Sequence, residues 1–118
     1  MSNDVQLTRS AKKLLFLLCE HYKTRIRYGT PEDEASYFGG AEQIVGKLGL
    51  SDSVRSVSAW ADELICAGFL TGLHASNILV ESNLNPSGLA YYEHRYDSLF
   101  KAFSSLLVSA SGAKSLLE

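Results

Sequence analysis

Leu7, Ala11, Leu14, Leu15, Leu18, Tyr22 and Ile26 recur at spacings of three and four residues. Side chains so spaced stack on one side of an α-helix, and residues 7–27 are therefore expected to form a helix with one apolar stripe. An isolated helix is marginal in water, so such a stripe requires other elements to cover it. Thr8 or Ser10 carries the side-chain oxygen that would cap its start. Phe16 and Leu17 fall beside the stripe and need a second partner, another helix or another subunit. The bases Arg9, Lys12, Lys13, Lys23 and Arg27 gather on the opposite side, around Phe16.

The covering elements follow along the chain. Residues 28–40 have no period and contain Gly29, Pro31, Gly39, Gly40 and the acids Glu32, Asp33 and Glu34; they read as a loop with a short extended piece near Ser36–Phe38. Ala41–Leu48 fits a short helix with Ile44, Val45 and Leu48 inward. Gly49 suits the left-handed position that ends a helix, and Ser51 or Asp52 suits the next N-cap. Ser53–Ala67 has an inward face of Val54, Val57, Ala61, Leu64 and Ile65, with Trp60 on its flank, and Gly68 ends it. Phe69–His74 and Ile78–Ser82 read as two strands joined by a turn at Ala75-Ser76-Asn77. Asn85-Pro86 starts a last helix, cap residue then proline, expected over 86–110.

That last segment places Leu89, Tyr92, Tyr96, Leu99, Phe103, Leu106 and Ala110 in a heptad pattern. It packs either on the core of its own domain or on a second copy of the chain. Phe16 and Leu17 also need cover, so the expected interface of a homodimer is Phe16, Leu17, Tyr92, Tyr96, Leu99, Phe103 and Leu106. At 118 residues, 46% hydrophobic and 20% charged, the chain is expected to be a single ordered domain, 1–118.

Two short patterns carry a resemblance. Leu64-Ile65-Cys66-Ala67-Gly68-Phe69-Leu70 closes one helix directly before the hairpin, and Leu84-Asn85-Pro86-Ser87-Gly88-Leu89-Ala90-Tyr91-Tyr92 opens the helix after it. The stretch from Leu7 to about Arg95 resembles the winged helix-turn-helix superfamily, with the C-terminal helix of PadR-like and MarR-like members. The resemblance implies an α+β fold of three helices and a β-hairpin wing (69–84), with the helix-turn-helix at 41–68 and an additional long C-terminal helix. It implies DNA binding in transcription regulation, with the second helix of the turn unit in the major groove and the wing on phosphates or in the minor groove. The groove-facing residues would be Ser53, Arg55, Ser56, Ala59, Asp62 and Glu63, and the wing tip His74 to Asn77. Gly88, inside the first turn of the last helix, would let that helix approach the hairpin closely.

Charge departs from the superfamily pattern. Residues 1–29 hold six bases against two acids, residues 30–68 two bases against seven acids, and the remainder three against four. DNA binding draws much of its affinity from Lys and Arg displacing counterions, yet the groove face has one base and two acids and the wing tip none. The positive charge would come from Arg9, Lys12 and Lys13 of the first helix, or from Ser53, Arg55 and Ser56 at a helix N-terminus where backbone N–H groups favour anions. The alternative is a winged helix that binds a protein partner and no DNA.

Other chemistry finds little support. His21, His74 and His94 make no ligand spacing with one another or with Cys19 and Cys66, so no metal is expected. Cys19 fits a core position; Cys66, on an outer face, is the thiol with any claim to reactivity. Phosphate-loop, nucleophile-elbow and dinucleotide motifs are absent, and neither an enzyme nor a cofactor is expected. The longest unbroken apolar run, Leu14–Cys19, is far short of a membrane span, and no secretory signal pattern is present; a cytoplasmic location is the expectation.

Overall fold

The computed structural model describes residues 7–97. In order, these form α1 (Arg9–Arg27), α2 (Glu32–Ala35), α3 (Ala41–Leu48), α4 (Val54–Cys66), β1 (Leu70–Ala75), β2 (Ile78–Leu84) and α5 (Pro86–Tyr92), followed by a π-helical turn at Glu93–Asp97. The architecture is α+β: α3 and α4 pack on one antiparallel hairpin, and α1 packs on the other helices.

Helix α1 starts two residues later than its apolar period suggests, because Thr8 is extended and its Oγ1 accepts the Ala11 N–H at 3.2 Å. The stripe is buried as expected at Ala11, Leu14, Leu15 and Leu18, and Cys19 joins it, whereas Ile26 lies exposed at the far end. The loop expected over 28–40 contains a one-turn helix, α2. Pro31 presets its entry, and Glu32, Asp33 and Glu34 place negative charge in its first turn, where the helix dipole favours it. Four residues are too few to leave a period in the sequence.

Helix α3 has the expected bounds. At its end Gly49 is left-handed (φ 64°, ψ 39°), and the Leu50 N–H reaches back to the Val45 carbonyl at 3.0 Å. Helix α4 is capped by Ser53, not by Ser51 or Asp52: Ser53 is the extended residue whose Oγ accepts the Ser56 N–H at 3.0 Å. Its end is a Schellman turn, with Phe69 N–H on Leu64 O, Gly68 N–H on Ile65 O, both at 2.9 Å, and Gly68 at φ 83°. That turn throws the chain directly into β1.

The hairpin is longer than expected and its turn shorter. Ala75 pairs with Ile78, so the connection is the two residues Ser76 and Asn77, both with positive φ (53° and 66°), as a primed turn requires. Register runs from Leu70↔Leu84 to Ala75↔Ile78, with a shift between Leu73 and His74 that leaves Val80 as an extra residue on β2. Tyr37 bridges Asn83 on the other side of β2, where the extended piece was expected.

One core fills the space between these layers: Leu14, Leu15 and Leu18 of α1, Phe38, Ile44 of α3, Val57, Ala61 and Leu64 of α4, Leu70, Leu79 and Leu84 of the hairpin, and Tyr92. Burying each aliphatic side chain contributes about 1.5–3 kcal/mol. Two serines are buried with their bonds satisfied: Ser58 Oγ accepts the Leu79 N–H at 3.0 Å and Ser82 Oγ donates to the Gly39 carbonyl at 2.7 Å. Gly88 sits against the root of the hairpin; a Cβ there would stand 2.8 Å from the Phe69 carbonyl oxygen. Asn85 precedes α5 as expected but makes no side-chain cap. Its amide donates to the Gly68 carbonyl at 3.0 Å and its oxygen accepts from Thr71 Oγ1 at 2.8 Å, tying α5 to the α4–β1 joint. Of the helix expected over 86–110, the described part is α5 and the π-helical turn; residues 98–118 lie outside the described residues.

The two cysteines differ sharply. Cys19 is fully buried, and burial first, then the charges of Glu20 and Glu93, push its thiol up to about 12. Cys66 is exposed. Alkylation of the native protein at pH 8, read by mass spectrometry, is expected to give one adduct at Cys66 within minutes. Cys19 should react only when the chain unfolds; comparable native rates at both sites would contradict this packing.

Candidate functional site

The N-terminal turn of α4 is self-capped. Ser53 Oγ accepts the Ser56 N–H and donates to Ser56 Oγ at 2.9 Å, so the two hydroxyls hold the helix start and each other. Arg55 and Ala59 on the same helix are exposed. The acids of the outer face are engaged sideways. Asp62 pairs with His74 of β1 at 2.5 Å, and Glu63 accepts the Thr8 N–H at 3.0 Å and Thr8 Oγ1 at 2.8 Å. These acids therefore staple α4 to the hairpin on one side and to the start of α1 on the other.

Lys13 of the α1 basic stripe comes alongside the turn that precedes α4. With Ser10, Leu14 and Leu17 of α1, Leu50 and Asp52 of the turn, and Trp60 of α4, it lines a hollow of about 80 Å³. That is room for a few waters and well below the several hundred Å³ of a small-molecule site. Arg9 is exposed and Lys12 half-buried on the same helix. Among the described residues His74–Asp62 is the only base–carboxylate contact within 4 Å, so Arg9, Lys12, Lys13 and Arg55 have no carboxylate at that distance, although Asp52 lines the same hollow as Lys13.

Of the residues expected at a subunit seam, Phe16 and Tyr92 meet within one chain, ring centroids 5.7 Å apart and tilted by 53°. Tyr92 is only 5% exposed; its hydroxyl donates to the Glu20 carboxylate and Lys23 Nζ lies 5.2 Å over its ring. Leu17 borders the hollow. The Tyr96 side chain, Leu99, Phe103 and Leu106 lie outside the described residues. Beside α5, Tyr91 stacks on Phe69, ring centroids 4.7 Å apart.

A second basic group escaped the sequence reading because it is assembled from two helices. His21 and Arg25 stand one turn apart on α1, and Lys47 approaches from α3. Lys47 Nζ donates to the Phe38 carbonyl at 3.5 Å and lies 5.7 Å over the Tyr37 ring and 5.9 Å over that of Phe38. The His21 ring is 5.7 Å from the same Phe38. Burial first, then Arg25 and Lys47, hold His21 below the usual histidine range; burial first, then Arg25, lowers Lys47. His21 and Lys47 thus share the buried Phe38 ring, and Arg25 stands one helical turn from His21.

Among the described residues no group of three or more His, Cys, Asp or Glu could hold a metal ion, and no helix is long and apolar enough to cross a membrane. Comparison of the chain with protein-family models, with curated proteins and with solved structures finds no match in any of the three.

Proposed function

We propose that the chain is a winged helix-turn-helix protein that binds duplex DNA as a transcription regulator does, through the N-terminal half of α4 and the basic stripe of α1. The observation that carries this is the disposition of charge on α4. Its two acids are engaged with Thr8 and His74, whereas Arg55, near the helix start, has no carboxylate within 4 Å and Lys13 lies beside the turn leading into it. Asp62 and Glu63 keep their charge, but their carboxylates are held sideways, toward His74 and Thr8. The order α1, Tyr37 bridge, α3, α4, hairpin supports the winged-helix reading, with Tyr37 as the short third strand. Pairing of two copies through the C-terminal segment belongs to the same proposal and would double the basic surface.

A second reading, a protein-binding winged helix, draws on the hairpin. Leu73 is 60% exposed and Val80 44%, the turn Ser76-Asn77 carries no base, and His74 is engaged with Asp62.

A salt titration separates the two. Random duplex DNA is expected to bind at about 50 mM salt, with affinity falling steeply as salt rises. Lys13→Glu combined with Arg55→Glu should abolish that binding while leaving the melting temperature nearly unchanged. No binding by the wild-type chain at low salt would overturn the DNA reading and favour the protein partner.

A further inference from the structure

We infer that His21, Arg25 and Lys47 form a phosphate-binding site, separate from the α4 surface and independent of the DNA reading. The group has what an oxyanion needs. Arg25 offers a forked donor set, Lys47 a mobile ammonium, and His21 an imidazole that becomes a second ring donor when protonated. Phe38, fully buried, forms the floor and fixes two of the three: the His21 ring and Lys47 Nζ both lie within 6 Å of its ring centroid. Lys47 Nζ donates one N–H to the Phe38 carbonyl at 3.5 Å, leaving two for a ligand, and the half-exposed Tyr37 ring borders the same corner.

Neither Arg25 nor Lys47 has an acidic partner among the described residues. The charges that act on His21 are those of Arg25 and Lys47, and the charge that acts on Lys47 is that of Arg25. Like charges near one another repel; His21 and Arg25 are half-buried and Lys47 is exposed, so the group is open to a ligand from solvent. A dianion bound there would relieve the repulsion and supply hydrogen-bond acceptors to all three groups. Phosphate suits this better than a carboxylate, since it presents more acceptor oxygens and more charge to a group of several donors. The phosphate has two possible sources, a nucleic-acid backbone or a free phosphorylated small molecule.

The test follows the His21 ring by NMR in the full chain, titrating inorganic phosphate against sodium chloride at equal ionic strength. Phosphate is expected to produce a saturable shift and to raise the His21 pKa by about one unit, because a nearby anion favours the imidazolium. Chloride should do neither. Arg25→Gln and Lys47→Gln should each weaken phosphate about tenfold, the loss of one charge-assisted bond, and Lys47→Arg should retain it. The same response to chloride as to phosphate, or undiminished phosphate binding in both glutamine variants, would overturn the site, whether or not DNA binds to α4. The second arm uses a short duplex. If the duplex competes with phosphate at His21, and Arg25→Gln lowers the salt slope of duplex binding by about one, the source is backbone phosphate. If free phosphate saturates His21 while the duplex leaves it untouched, the source is a small phosphorylated ligand. If the duplex fails to bind anywhere while phosphate saturates, the DNA reading falls and this site stands.

Discussion

Phe38→Ala is expected to lower the unfolding free energy by about 3–5 kcal/mol. Phe38 is the largest fully buried side chain, and it belongs to no long helix or strand: it follows the bridge at Tyr37 and precedes α3. Its ring fills the corner between α1 and α3, beneath His21 and Lys47. Removing it leaves a cavity that two rigid helices cannot close, so the transfer loss and the cavity cost add. Against a total stability of about 5–15 kcal/mol for a small domain, this is a large fraction. Urea unfolding followed by circular dichroism should show the midpoint falling with little change of slope. Phe38→Leu, which keeps most of the volume, should cost well under half as much. An alanine variant within about 1 kcal/mol of wild type would mean that the corner is not packed as described.

The second large effect is at Gly40. Its backbone is ordinary (φ −86°, ψ −179°), so an alanine there meets no conformational strain. The added Cβ would nevertheless stand 2.7 Å from the Leu79 carbonyl oxygen and 2.9 Å from the Val80 Cα, both backbone atoms of β2. The strand has to move off α3, a cost of about 1–3 kcal/mol or more. Gly49 is the contrasting control. It is left-handed at φ 64° with open space where a Cβ would go, so Gly49→Ala is charged only for conformation, about 1–2 kcal/mol. Crowding predicts that Gly40→Ala melts lower than Gly49→Ala and shifts hairpin amide resonances; a reversed order would show that α3 and β2 are not in contact at Gly40.

The long periodic elements could be read from residues alone because their cause is local. The spacing of Ala11, Leu14, Leu15 and Leu18 in α1, and the glycines at 49 and 68, act within a turn or two of where they stand. What escaped was non-local or too short. Helix α2 is a single turn, and its acids looked like solvated loop residues. Ser58 drew no reading from the sequence, yet it is buried and its Oγ accepts the Leu79 N–H, 21 residues away. The α4 acids counted against nucleic acid in the sequence, and their engagement with Thr8 and His74 required the tertiary fold. His21, Arg25 and Lys47 were visible as single residues, but their proximity depends on how α1 crosses α3.

The bridge between Tyr37 and Asn83 reaches beyond its two residues. The Phe38 N–H bonds the Ser82 carbonyl at 2.9 Å and the Leu84 N–H bonds the Ser36 carbonyl at 2.8 Å. These two bonds close a ring of chain that contains α3, α4 and β1, and the entropy of closing so long a ring grows only logarithmically with its length. The α3–α4 segment is thereby clasped, the stretches that flank it meeting at β2. Fraying of the chain ends reaches it through the Thr8–Glu63 and Asn85–Gly68 contacts, and the bridge itself lies outside both.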